Sequence, residues 1–328
     1  MKKEIQESRN PENQARTGTT RKKGYTLLAI GAILLIAGII AAIYTYRSSY
    51  QASRDTGQAL NEVKEQIKAI EAGTATGDTD ALQAQKSQLS SQKLAQERPY
   101  SYSLILLFFA MLLTIKGLYN ALVGTCRTSR ADIQRLAQAG LLAALCYIGF
   151  TFLKIDIPVG PDKTAFHFGN VFCVLAALLL GGYWGGLAGA VGMTIADLTT
   201  SYVTSAPKTF LLKLCIGLIV GLVAHRIFKL DRDHSRKYVM GVTVLSCFCG
   251  MLFNVIADPL VGYFYKMYLL GLPQDLASTL AKWSSLTTSV NAVIAVIVAS
   301  LLYLVLRPAL KKADLFVSVS PKGEDSQP

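Results

Sequence analysis

Asp197, Lys213, Asn254 and Asp258 stand inside long apolar runs. A charge or amide within such a run costs several kcal/mol in a bilayer unless it is paired or faces water, so each is a candidate for function. Their spacing puts them at one depth. Asp197 lies fourteen residues past Tyr183, which at about 1.5 Å per residue is roughly 21 Å along an outward-running helix. Lys213 lies six residues past Pro207 on a helix running back, roughly 9 Å below the outer surface. Asn254 and Asp258 follow Tyr238 by sixteen and twenty residues on another outward helix, and His167 and Asn170 open a span from the outer side. The pattern predicts an outward-facing pocket for a small polar solute. In it Lys213, Asp197 and Asp258 fix charges, while the asparagines donate and accept hydrogen bonds.

Other readings of the same residues stay open. Asp197 and Lys213 could form an ion pair that joins two helices. Asp258 precedes Pro259, which disfavours helical geometry before it, so it could cap an irregular helix end. His167 could serve a loop hydrogen bond as well as a ligand. Ser246, Gly250, Asn254 and Asp258 are spaced four apart, as are Lys213, Gly217 and Gly221, so each set shares a helix face turned toward the bundle. The six cysteines, Cys126, Cys146, Cys173, Cys215, Cys247 and Cys249, lack metal-ligand spacing and read as small packing residues. With neither a paired metal motif nor a nucleophile motif, intramembrane hydrolysis by Asp197, Asp258 and His167 has no support, and no enzyme activity, metal or cofactor is expected.

The elements that must hold these residues are membrane helices. The 328 residues are 52% hydrophobic and 16% charged, with a mean hydropathy of +0.37. A bilayer core about 30 Å thick is crossed by about 20 apolar residues in a helix, because every backbone polar group must be paired within the segment. About eight stretches qualify: Tyr25 to Tyr44, Tyr100 to Val123, and six more near 134–153, 168–182, 183–203, 207–227, 238–265 and 281–306. The fold expected is an all-α integral membrane protein. Its units are a six-helix bundle over 125–310 and, before it, a two-helix membrane module over 25–124.

Between the first two spans, residues 47–99 are polar, with Ala59, Val63, Ile67 and Ile70 at helical spacing and a break near Gly73 to Gly77. This predicts an extracellular helical hairpin that ends at Arg98 and Pro99. Residues 1–24 and 311–328 read as disordered cytoplasmic tails. The first apolar run is longer than a signal-peptide core, so an uncleaved anchor is expected.

The net charge of +12 sits in short flanking segments rather than along a groove. Lys plus Arg number seven before the first span, three near 127–135, five from Arg226 to Lys237 and four after residue 306. That distribution encodes topology and excludes a nucleic-acid role, and it places both termini in the cytoplasm. Lys116 snorkels to the headgroups in this reading. A membrane sensor using the 47–99 hairpin as receptor is the alternative function, but no cytoplasmic output domain accompanies it.

Small residues form a further pattern. Ala139 and Ala143 are four apart, as are Gly140 and Ala144, and Gly185 with Gly189 and Ala188 with Gly192 repeat the spacing. Such faces let helices approach closely, within one bundle or between subunits.

The segment FGNVFCVLAALLLGGYWGGLAGAVGMTIADLTTSYVTSAPKTFLLKLCIGLIVGL, Phe168 to Leu222, resembles the substrate-binding S components of energy-coupling factor (ECF) vitamin transporters. It is most similar to the riboflavin-type and hydroxymethylpyrimidine-type members. The likeness rests on the LAALLLGG turn, the glycine-rich helix ending in Ala196 and Asp197, and the APKTFLLK stretch with Lys213. It covers about residues 132 to 306.

This resemblance implies a six-helix solute-binding subunit without its own ATPase. Such a subunit works with a transmembrane coupling subunit and two cytoplasmic ATPases to import a vitamin or vitamin precursor. It also implies that the small-residue face of the first core helix, at Ala139, Gly140, Ala143 and Ala144, meets the coupling subunit, and that the loop from Lys154 to Phe166 lids the pocket. Asn170 stands where the family more often has Asp. The last helix, lacking the family's Asn and Gln pair, offers only Asn291, so the vitamin's identity is left open. Residues 1 to about 124 have no counterpart in the six-helix family.

Overall fold

The computed structural model describes residues 11–123, 130–159, 162–200, 202–270, 272–316 and 319. The chain divides into two compact units, Met1–Ser129 and Arg130–Pro328.

In the first unit α1 (Pro11–Thr45) passes through a π-helical turn (Tyr46–Tyr50) into α2 (Gln51–Glu71), and α3 (Thr79–Val123) returns alongside. A Cβ on Gly31 or Gly117 would lie 2.7 Å from the Thr114 amide nitrogen or 2.4 Å from that of Leu28, so only hydrogen at these positions lets the helices close. Farther along, α2 buries Leu60, Val63 and Ile67 on one face. Tyr46, Tyr50 and Tyr100 cluster where the apolar and polar lengths meet, with centroids 5.2–5.6 Å apart.

Two expectations need correction here. Residues 11–24 are helical rather than an unstructured tail, because a helix nucleated by the apolar run extends at little cost into Pro11, which suits a first turn. Residues 1–10 lie outside the described set. Pro99 does not end the hairpin: α3 runs through it, held laterally by packing along its length. The extramembrane hairpin and the membrane helices are therefore continuous. From Pro11 to Glu71 the helix is about 90 Å long, some three times the thickness of a hydrocarbon core.

The second unit opens with α4 (Arg130–Thr151) and a β-hairpin, β1 (Lys154–Val159) with β2 (Asp162–His167), antiparallel from Lys154↔His167 to Val159↔Asp162. Then come α5 (Gly169–Thr199), α6 (Ala206–Gly221), α7 (Arg236–Phe264) and α8 (Gln274–Lys312). The hairpin is the exception to the all-α expectation: the stretch read as a loop pairs with itself, its alternating KIDIPV half facing the other across the turn.

α5 is two antiparallel arms. Gly181 has φ +81, which a side chain would strain, and reverses the chain there, so Gly185 lies against Ala177 and Gly189 against Cys173. The first arm, about 12 residues, is only about 18 Å long and falls short of a full crossing. Among the described residues, six helical segments are long and apolar enough to cross a membrane. The eight expected spans count both arms of α5 and include the apolar half of α3.

The core of this unit centres on α5, whose Val171, Cys173, Val174, Ala176, Ala177 and Leu178 are fully enclosed. Gly217 and Gly221 of α6 meet Gly186 and Gly182 backbone to backbone, and Gly250 of α7 meets Val220. The small-residue stripes on α6 and α7 do face inward, and they set the helix spacing. On the outside, Leu211, Leu218, Phe248, Leu252, Ile256, Val293 and Ile297 are exposed, the arrangement a lipid solvent requires.

Candidate functional site

At the hairpin end of the second unit lies a cavity of about 100 Å³. Its lining includes all seven residues singled out from the sequence: His167, Asn170, Asp197, Lys213, Asn254, Asp258 and Asn291. They arrive from separate elements: His167 at the end of β2, Asn170 and Asp197 on the two arms of α5, Lys213 on α6, Asn254 and Asp258 on α7, and Asn291 on α8. Helical rise places them together. Asn170 starts the short arm and Asp197 ends the long one, so the reversal at Gly181 returns both to one end.

The structure gives these residues different work. Asp258 is fully engaged: Lys208 Nζ is 2.8 Å from Oδ1, while Ser284 and Thr288 hydroxyls donate to Oδ2 at 2.7 and 3.1 Å. α7 continues through Pro259, so Asp258 does not cap a helix end but ties α7 to α6 and α8. Asn291 is also committed. Its Oδ1 accepts from the His167 amide at 3.0 Å and its Nδ2 donates to the Ala165 carbonyl at 3.0 Å, fastening β2 to α8. Thr164 and Thr287 hydroxyls add a contact of 2.7 Å along the same seam.

Asp197 and Lys213, by contrast, form no ion pair with each other among the described residues, which corrects the reading of them as a structural pair. Asp197 is 2% exposed with Thr209 as its hydrogen-bonding neighbour, and its Oδ2 has no partner. Lys213 is buried, its ammonium 3.5 Å from Asn254 Oδ1. Asn170 Oδ1 and His167 Nδ1 likewise lack partners. A buried acceptor left unmatched costs about 1–3 kcal/mol, which a guest with N–H or O–H groups would recover. The cavity therefore presents a carboxylate oxygen, an amide oxygen and a ring nitrogen together with the Lys213 ammonium, and Lys163, Lys208 and Lys266 also line it. Enclosure pushes the His167 ring down to about 3, helped by the Lys213 charge, so it stands neutral.

The β-hairpin roofs this cavity through Lys163, Thr164 and Ala165. Asp156 on β1 is its main tie to the α5–α6 connection. It accepts from Tyr202 Oη at 2.9 Å and Lys163 Nζ at 3.0 Å, with Lys154 Nζ at 3.3 Å. Partial burial pushes its carboxyl up, but the bonds from Lys163 and Tyr202 and the two lysine charges outweigh this and hold it below the usual carboxylate range. Lys154 also lies 4.9 Å from the Tyr202 ring centre and 5.6 Å from that of Phe150, so the roof is latched by charge and aromatic contact together.

Lys208, Ser284, Thr288, Asp156 and Tyr202 escaped the sequence reading. Lys208 sits at a helix start and resembles a topology lysine. Ser284 and Thr288, four apart on α8, carried the only signal: two hydroxyls on one helix face.

The small-residue stripe of α4 divides. Ala139 is buried, and Ala143 lies against Gly192 of α5, whose Cβ would fall 2.9 Å from the Ala143 carbonyl carbon. Gly140 and Ala144 are exposed, flanked by Ile133, Leu136, Leu141 and Ile148. The four positions span more than one face at 100° per residue, so only Gly140 and Ala144 remain open to another subunit.

A family model described as ECF-type riboflavin transporter, S component, matches residues 130–308. No curated protein and no solved structure matches the chain.

Proposed function

The chain belongs to the ECF-type riboflavin transporter S-component family, and on that premise we propose that its second unit captures a vitamin or vitamin precursor from outside the cell for ATP-driven import by partner subunits. The family is one of transporter components rather than enzymes. The partners in this reading are a transmembrane coupling subunit, which the exposed Gly140 and Ala144 face of α4 meets, and two cytoplasmic ATPases.

The observation that carries the reading is the pair of buried, unmatched acceptors Asp197 Oδ2 and Asn170 Oδ1, standing in one cavity with the Lys213 ammonium. A protein built only to hold its helices together would have paired Asp197 with Lys213. Here each is left to a guest. Asp258 and Asn291 line the site as its frame: one spaces three helices and the other fixes the roof. His167 and Asn254 supply a neutral ring and an amide at its walls. The hairpin end is taken as the extracellular side, so the roof must open outward to admit solute, and binding energy closes it.

Titration of the purified protein with riboflavin, followed by flavin fluorescence, tests the proposal, with native mass spectrometry reporting any other co-purified small molecule. Tight binding is expected. Asp197→Ala and Lys213→Ala should each weaken it at least tenfold, about 1.4 kcal/mol. Unchanged affinity in both variants would remove these residues from the site, and a purified protein that holds no small molecule and takes up no riboflavin would remove the function.

A further inference from the structure

At the end of the second unit opposite the cavity, the chain leaving α8 does not run free. Asp314 adopts φ +53, and the Leu315 and Phe316 amides return to the Leu310 carbonyl at 2.9 and 3.1 Å, so the helix ends in a reversal. The Leu315 carbonyl then accepts from two side chains of α4, Gln134 Nε2 at 3.0 Å and Gln138 Nε2 at 2.7 Å. Farther on, Val319 covers the Gly181 turn, its Cγ1 only 2.7 Å from where a Cβ would stand. Lys311 anchors the base of this strap, 2.6 Å from Asp233 Oδ1 and 5.7 Å from the Phe316 ring centre. The strap, residues 313–316, thus joins the last core helix to the first, and Val319 lies against the reversal of α5.

Gln134 and Gln138 lie one turn apart on α4, at the border of its exposed stripe. Taking 100° per residue, Ile133, Leu136, Gly140, Leu141, Ala144 and Ile148 cluster about one direction, and the two glutamines fall roughly 90–130° to its side, on the flank of Leu141. Leu315 is itself 47% exposed, although its carbonyl is held by two donors. An apolar side chain positioned by two bonds beside an apolar, small-residue helix face extends that face.

We infer that Leu315, in the reversal that follows α8, is part of the surface the coupling subunit occupies, with Gln134 and Gln138 holding it at the edge of the α4 stripe. The inference rests on the transporter reading above. The occupant follows from continuity: the strap borders the one α4 face that this reading assigns to the coupling subunit, and Gln134 and Gln138 lie beside both. Solute capture, at the opposite end, does not involve the strap.

The test co-expresses the full chain with coupling and ATPase subunits and measures both assembly and riboflavin binding for wild type, Leu315→Ser, Gln134→Ala/Gln138→Ala, and a chain ending after Lys312. Assembly should fall at least tenfold in all three variants, with riboflavin affinity within about threefold of wild type. Leu315→Ser changes an exposed side chain and keeps the carbonyl, so its effect on assembly is independent of folding. Undiminished assembly in Leu315→Ser overturns the proposal, as does a parallel loss of riboflavin binding in every variant, which would make the strap a brace for the fold. A wild-type chain that binds riboflavin but never assembles defeats the transporter reading itself and the inference with it.

Discussion

Replacing Lys208 by Met isolates the ion pair that spaces three helices. Asp258 would keep the Ser284 and Thr288 hydroxyls but lose the ammonium 2.8 Å away. Breaking a buried pair by removing one partner costs about 3–5 kcal/mol, since the remaining charge is stranded. The two side chains here retain 11% and 18% exposure, which favours the lower end. At about 2–4 °C of Tm per kcal/mol for a unit of this size, the expected fall is about 6–12 °C in a detergent melting experiment without ligand.

The double variant Lys208→Met/Asp258→Asn removes both charges and leaves an amide that the same two hydroxyls can still meet. It should recover most of the loss, giving a coupling energy of about 2 kcal/mol or more. A single variant melting within about 2 °C of wild type would refute the argument, for the expected loss is several times larger. So would a double variant no more stable than the single one, which would mean that the carboxylate was never dependent on the lysine.

Asn291→Ala removes the two bonds that Asn291 makes to β2, so the His167 amide should exchange with solvent about tenfold faster or more, read by hydrogen–deuterium exchange. Unaltered exchange would show that Thr164 and Thr287 suffice. Gly217→Ala sets a Cβ 2.2 Å from Gly186 Cα, where both sides are backbone, and should cost about 1–3 kcal/mol. Gly140→Ala, with open space at that position, should leave Tm unchanged or raise it, and equal losses in the two variants would contradict the packing account. The His167 ring, held down to about 3 against an ordinary value near 6.5, binds fewer protons folded than unfolded between those limits. Its contribution to stability is therefore whole above about pH 6.5 and is lost as pH falls from there toward 3. A His167→Gln variant should show a flatter fall of Tm with acid over that window, and an unchanged slope would count against it.

Much of this molecule is written locally. Apolar length fixes the helices, because an unpaired backbone group in lipid leaves no alternative. Rise per residue sufficed to put Asn170, Asp197, Lys213, Asn254 and Asp258 at one depth, and the four-residue spacing of Lys213, Gly217 and Gly221 gave the correct inward face. The GG pair at Gly181 marked the reversal. Local signals misled where lateral packing overrode them: Pro99 and Pro259 look like helix ends, yet the helices run through them, packed against their neighbours.

Partner choice was not legible. Depth along a helix says nothing about azimuth relative to other helices, so the sequence could not decide whether Asp197 faced Lys213 or the cavity. Only the packed bundle shows that Lys208 took Asp258 and left Asp197 Oδ2 open. For the same reason Ala139 and Gly140 looked equivalent until the bundle turned one inward and the other out. One-dimensional periodicity determined which residues share a level and a face. Which of them touch depended on helix rotation and on contacts more than a hundred residues apart, such as that of Asn291 with β2, and those exist only in the folded chain.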